Sequence, residues 1–449
     1  MMLNVATVVA RPPIPPIGTR EELIDTLGLA AEIEHAIMCQ YLYAAFSINR
    51  LGSSAGGSSG PSPGNRLGSS AGGSSGPSPG NRTSPELSPE EAEVGRTFAI
   101  ELLKIARQEM EHLGIVTNLL ISVGAPPDFD RPNLPLQRDY YAVDLPFRLL
   151  PFGDDFLTLS AQLEASTSSY DEHLAPRPYY PTVAAIYERL HAGFQALDGP
   201  TLFLGAKDPQ ISNADFGAAP NQVWYDLKLL PVTDLPSALA AIDLIRIQGE
   251  GATAEDPHSH WAIVRRLKGM WDALSPQARR ALLWPVPANP VTQQRGDVDP
   301  TVPCVVLSDP RAVALSRLAN RAYELILLLL ARLYGRNDAT TADRQMYLRY
   351  AFFPLMTVVT RPVGEILVQL PAGDGEHCAA CTFELDGPIR TYPDRSSFHV
   401  QLGERLSHLA TGFAAAAKLE DMPARLQFVA TNVAYIRDRV LGYLGGGDG

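Results

Sequence analysis

Apolar residues recur at helical spacing through most of the chain, and where that pattern breaks it marks turns or chemistry. Residues 21–48 carry a buried stripe of Leu23, Leu27, Ala30, Ile37, Met38, Tyr41 and Ala45, which predicts one long amphipathic helix. Residues 101–120 separate into a polar face (Glu101, Lys104, Gln108, Glu111) and an apolar one (Leu102, Ile105, Leu113, Val116, Leu120). Ser88, Pro89 and Glu91 form a capping box that starts this second helix. Further helices are expected at 154–164, 182–196, 235–249 and 259–274, and a second block at 311–334, 342–367, 397–419 and 423–444. A short strand pair is expected in QVWYDLKLLPV, residues 222–232. The pattern predicts a mainly α chain: an N-terminal extension (1–17), a helical bundle (18–285) and a second helical domain (286–449).

Residues 50–82 interrupt the first bundle with two identical copies of RLGSSAGGSSGPSPGN and the first residue of a third. Gly, Ser and Pro cannot bury a core, so the segment reads as a flexible linker with a span on the order of 30 Å. No catalytic residue is expected there.

The apolar stripes contain charge. Glu109 and His112, one turn apart, fall on the buried face of the second helix, and Glu34 lies between Ala30 and Ile37 on the buried face of the first. An ionised carboxylate taken out of water costs several kcal/mol unless it is paired or binds a cation. Bundles that bind two iron or manganese ions use a Glu from each of two helices and a Glu-x-x-His from each of the others. The alternative is an uncomplexed Glu, His and Tyr hydrogen-bond network. Glu32 and His35 repeat the spacing but fall on the polar flank, so they read as solvated. Tyr41 and Tyr43, near Glu34, are either hydrogen-bond donors or redox-active phenols beside the site, or plain core.

Charge and cysteines narrow the function. The 449 residues carry 37 basic and 49 acidic side chains, a net charge of -12, with no dense basic cluster. That argues against nucleic acid or an anionic membrane as partner and favours a small organic substrate. The longest apolar run, residues 325–331, is too short to span a bilayer, and the N-terminus lacks a basic leader. Four cysteines make no disulfide scaffold, so a reducing cytoplasm is expected. Cys378 and Cys381 form a Cys-x-x-Cys without a second pair to complete a zinc site. Glu324, Glu365 and Glu404 lack a neighbouring His, so the second block reads as structural.

The segments AEIEHAIMCQYLYAAFSI, ARQEMEHLGIVTNLLISVGAPP, DLPFRLLPF, IQGEG and SHWAIVRRL resemble the ferritin-like domain of the iminophenylpyruvate dimer synthase group, over about residues 20–275. That group includes enzymes of violacein, rebeccamycin and staurosporine assembly that couple two oxidised tryptophan-derived imines. MTVVTRPVGEILVQLPAG and TFEL resemble the helical extension of stand-alone members. The resemblance implies a ferritin-like four-helix bundle with Glu34, Glu109, His112, Glu250 and His260 as metal ligands. Its third-helix Glu is absent: Ala185 stands there, leaving Glu164 or Glu188 to complete the set. The implied function is a metal-dependent oxidoreductase or oxidative coupling enzyme, with two iron ions or manganese, acting with O2 on an amino-acid-derived intermediate; a homo-oligomer is compatible with it. The rivals are a metal-independent condensing enzyme using the same cluster as acid and base, and a non-catalytic metal-binding scaffold.

Overall fold

The computed structural model describes residues 15–49, 87–137, 140–141, 143, 145–165, 180, 182–216, 227–249 and 256–446. The repeat segment at 50–82 lies outside them. The first half is built from α1 (Arg20–Phe46), α2 (Pro89–Ser122), α3 (Asp154–Leu163), α4 (Val183–Leu197), the single turn α5 (Asn213–Phe216), α6 (Leu235–Gln248), α7 (His260–Asp272) and α8 (Pro276–Ala281). The predicted capping box stands: Ser88 accepts from Glu91 N, and Glu91 accepts from Ser88 N at 2.8 Å. Thr19 and Glu22 do the same for α1.

Four helices close a ring. α1 packs on α2 and α4, and α6 packs on the same two; α3 and α7 pack on each other beside them, α7 also touching α2. Leu23, Leu27, Leu102, Ile105, Val116, Ile186, Leu190, Ile242 and Ile245 fill the centre. Removing such residues from water, at about 25 cal/mol per Å² of apolar surface, is the main force holding the ring together.

The second half contains β1 (Pro290–Val291), β2 (Val305–Val306), α9 (Pro310–Tyr334), α10 (Thr341–Met346), α11 (Arg361–Leu367), α12 (Arg395–Ala416) and α13 (Leu426–Gly445). Residues 342–367, expected as one regular helix, run from α10 to α11 through two π-helical segments, Tyr347–Phe352 and Leu355–Thr360. Pro354 between them has no N–H to continue an α ladder, and a widened turn absorbs the break. The halves share one apolar core, with α9 against both α2 and α12. Contact is close where α1 ends: a Cβ on Gly364 of α11 would sit 2.6 Å from the Phe46 ring.

The expected strand pair does not form in the described part of that segment, residues 227–232. Side chains take the backbone groups a ladder would use: Asn213 accepts from Leu229 N at 2.7 Å, and Gln210 accepts from Val232 N at 2.7 Å. The strands among the described residues are instead β1 and β2, a parallel pair of two residues each. No described helix is long and apolar enough to cross a membrane.

Candidate metal centre

Five ionisable side chains converge where the bundle helices are long or stop. Glu34 comes from mid-α1 and Glu109 and His112 from consecutive turns of α2. Glu164 is the residue that caps the C-terminus of α3, and His260 is the first residue of α7, behind the N-cap Ser259. All five are fully buried. Gly249, just past α6, makes room for them: a Cβ there would lie 2.9 Å from His260 Nδ1 and 3.3 Å from His112 Cε1.

Glu109 is the hub. Its Oε2 lies 3.1 Å from His112 Nδ1 and its Oε1 lies 2.9 Å from His260 Nδ1. Glu34 Oε2 lies 3.4 Å from the first imidazole, and Glu164 Oε2 lies 3.4 Å from the second. The result is two overlapping groups, Glu34–Glu109–His112 and Glu109–Glu164–His260, each able to offer three ligand atoms within 4.8 Å of one another. The imidazole rings stack at 5.5 Å.

The outer oxygens are tied down by phenols. Tyr41 donates to Glu164 Oε1 at 2.6 Å, and Tyr187 of α4 donates to Glu34 Oε1. Gln248, the last residue of α6, accepts from His112 Nε2 at 3.1 Å. An amide oxygen can only accept, so Nε2 carries a proton and Nδ1 faces the carboxylates.

Proton affinities in the cluster are pushed apart. Burial, then the Glu109 charge, raises Glu34 to about 8. Burial also opposes ionisation of Glu109, but His260 and His112 hold its carboxyl below the usual carboxylate range. Burial lowers His260, yet Glu109 and Glu164 lift it to about 9; His112 rises well above its ordinary value against the same opposing burial, through Glu109 and Glu34. Without a cation, Glu34 and the two imidazoles hold protons in its place. Glu34 Oε2, Glu164 Oε2 and His260 Nε2 make no hydrogen bond among the described residues. Buried carboxylate oxygens left over and aimed at imidazoles are what a divalent cation of the iron or manganese type requires, so the residues present fit such a group.

Other expectations need correction. Glu188 does not reach the centre: it is exposed on α4, 3.8 Å from Arg246. Tyr187 points inward from the preceding position. Glu250 lies outside the described residues. His35 is not on a solvated flank but fully buried, hydrogen-bonded to Tyr323 of α9, whose hydroxyl also lies 3.2 Å from Cys39 Sγ. The sequence shows a two-faced helix because it cannot show that α9 covers the second face. Tyr43 donates to Pro287 O, away from the centre. Among the described residues all four cysteines are free thiols, and none belongs to a group able to hold a metal. Gln248 and Tyr187 were missed; the signals were a polar residue ending an apolar helix and a phenol two positions after Ala185.

The chain is 30% identical to dichlorochromopyrrolate synthase of Lentzea aerocolonigenes over 93% of its own length and 41% of that protein. It is 29% identical to 2-imino-3-(indol-3-yl)propanoate dimerase of Chromobacterium violaceum over 87% of its length and 36% of that protein. The chain thus spans about two fifths of the length of these curated relatives. A solved ferritin-like protein from Caulobacter vibrioides aligns over 82% of this chain and 100% of its own, at 16% identity and a TM-score of 0.49. A ferritin-like family profile matches residues 27–268, which hold every residue of the centre, and the chain belongs to the ferritin-like family.

Proposed function

We propose that this protein is an enzyme of natural-product assembly that couples or condenses amino-acid-derived imines, with two iron or manganese ions held by Glu34, Glu109, His112, Glu164 and His260. The observation that carries the reading is the pair of three-residue groups sharing Glu109, buried inside a chain similar to a chromopyrrolate synthase and an imine dimerase. When bound, the ions would supply oxidising chemistry with dioxygen.

The chain's own residues supply the rest. Glu109 presents one oxygen to each imidazole, and Tyr187 and Tyr41 hold the outer carboxylates by one oxygen each. Gln248 keeps the proton of His112 on Nε2. Full burial of the five excludes bulk water, which strengthens every charge interaction inside. Purified protein is expected to carry iron or manganese by elemental analysis and to convert 2-imino-3-(indol-3-yl)propanoate, or the imine of another aromatic amino acid, to a coupled product. Protein that turns over such an imine equally well after complete metal removal would overturn the metal reading.

A second reading has an observation of its own. Glu34 is raised and Glu109 lowered within one cluster, which is the pattern of a paired general acid and base. It predicts metal-free condensation of the same imines, lost in His112→Ala.

A further inference from the structure

The two groups around Glu109 are built alike but are not supported alike. In the group Glu34–Glu109–His112, Tyr187 fixes the carboxylate and Gln248 fixes the imidazole. In the group Glu109–Glu164–His260, Tyr41 fixes the carboxylate, while His260 Nε2 has no hydrogen-bond partner among the described residues. The settings differ too. His112 stands in the middle of the 34-residue α2, whereas Glu164 and His260 sit at a helix end and a helix start. Partners behind a ligand orient it and commonly change metal affinity 10–100-fold. A ligand already held in its binding rotamer also loses less freedom on binding.

We propose that the two metal positions are inequivalent and fill in order: the first ion goes to Glu34–Glu109–His112, and the second to Glu109–Glu164–His260. The order rests on the metal-binding reading above. Tyr187 and Gln248 are positioning residues for the first ion, and Tyr41 is the positioning residue for the second. Glu109, shared by both groups, couples the two events, because the first ion removes negative charge that the second would otherwise meet.

The test is calorimetric titration of the chelator-treated full chain with Mn2+, with electron paramagnetic resonance at each step. The expected isotherm has two steps, a magnetically isolated Mn2+ after the first equivalent and a spin-coupled pair after the second. Tyr187→Phe and Gln248→Leu should weaken the first step about 10–100-fold. Gln248→Glu, which keeps an acceptor for His112 Nε2, should restore it. Tyr41→Phe should weaken the second step and leave the first unchanged. One undivided step, or a first step weakened by Tyr41→Phe and untouched by Gln248→Leu, would overturn the order while leaving metal binding intact. If the wild-type protein binds no Mn2+, Fe2+ or other divalent ion, the metal reading itself falls, and the order with it. Circular dichroism of each metal-free variant separates lost positioning from lost fold, and Tyr187→Phe carries the test if Gln248→Leu does not fold.

Discussion

The molecule buries charge in two ways. In the second half, the three charges buried deepest among the described residues, Arg332, Asp343 and Glu384, each meet an opposite one. Arg332 donates to Asp338 at 2.8 Å, Asp343 receives Arg395 at 2.7 Å and 3.0 Å, and Glu384 lies 3.6 Å from Arg295. In the first half, three carboxylates and two imidazoles face one another with ligand atoms left over. Pairing closes a site, because opposite charges cancel and leave no excess charge for an ion to balance. Convergence of like groups opens one, because the excess negative charge is tolerable only with protons or a cation among them. The contrast separates structural from functional charge better than burial alone, since both sets are buried.

The largest effect expected is at the hub. Glu109→Ala removes the residue common to both groups, so metal content should fall from about two ions per chain to near none by elemental analysis. If that variant keeps its full metal content, the convergent cluster is as structural as the pairs in the second half. Glu384→Gln is the matched control and should leave metal content unchanged.

Asp343 makes the opposite prediction. Burial opposes its ionisation, yet the Arg395 guanidinium and the Thr340 backbone and hydroxyl hold its carboxyl well below the usual range. A carboxylate lower in the folded than in the unfolded state stabilises fully above its unfolded value, near 3.9, and loses that contribution as pH falls through the folded value. Asp343→Asn should therefore cost about 2 kcal/mol at neutral pH, the worth of hydrogen bonds to a charged group, with metal binding unchanged. The gap between wild type and variant in chemical denaturation should close in strong acid. A gap that stays constant from pH 7 to pH 2 would mean that the carboxylate charge is not what stabilises.

The helices and much of the centre were legible in the sequence, for a local reason. Helical periodicity places Glu34, Glu109 and His112 on apolar stripes whatever the tertiary structure, because the face is fixed by 3.6 residues per turn. Glu164 and His260 sit at helix ends, where no stripe exists; only the family resemblance pointed to them, and it could not choose between Glu164 and Glu188. His35 reads as solvated in the sequence because its burial depends on α9, nearly 300 residues away in the chain. Residues 227–232 form no strand for a related reason: Gln210 and Asn213 reach their backbone from the chain before and at α5, and composition does not show such contacts.

A smaller effect is expected at Gly249. A methyl group there would sit 2.9 Å from His260 Nδ1, closer than a Cβ contact tolerates, so the imidazole must shift. Gly249→Ala should weaken metal binding about tenfold, equivalent to about 1.4 kcal/mol, while thermal stability of the metal-free protein changes little. An equal loss in metal-free stability would show that the glycine serves the turn after α6 and not the centre.

The smallest effect, and the one that resolves the sequence's ambiguity, is at Glu188. Its carboxylate is exposed, and its 3.8 Å approach to Arg246 is a surface ion pair, a class worth about 0–1 kcal/mol. Glu188→Gln should change stability by no more than about 0.5 kcal/mol and leave metal content and coupling activity as they are. Glu164→Gln, at the position that does converge, should lower metal content by weakening the Glu109–Glu164–His260 group. The two carboxylates have similar standing in the sequence, one at the end of α3 and one a few residues into α4. If Glu188→Gln loses metal and Glu164→Gln does not, α4 must rotate in the working protein to bring Glu188 inward, and the hydrogen bond from Tyr187 to Glu34 would have to break with it.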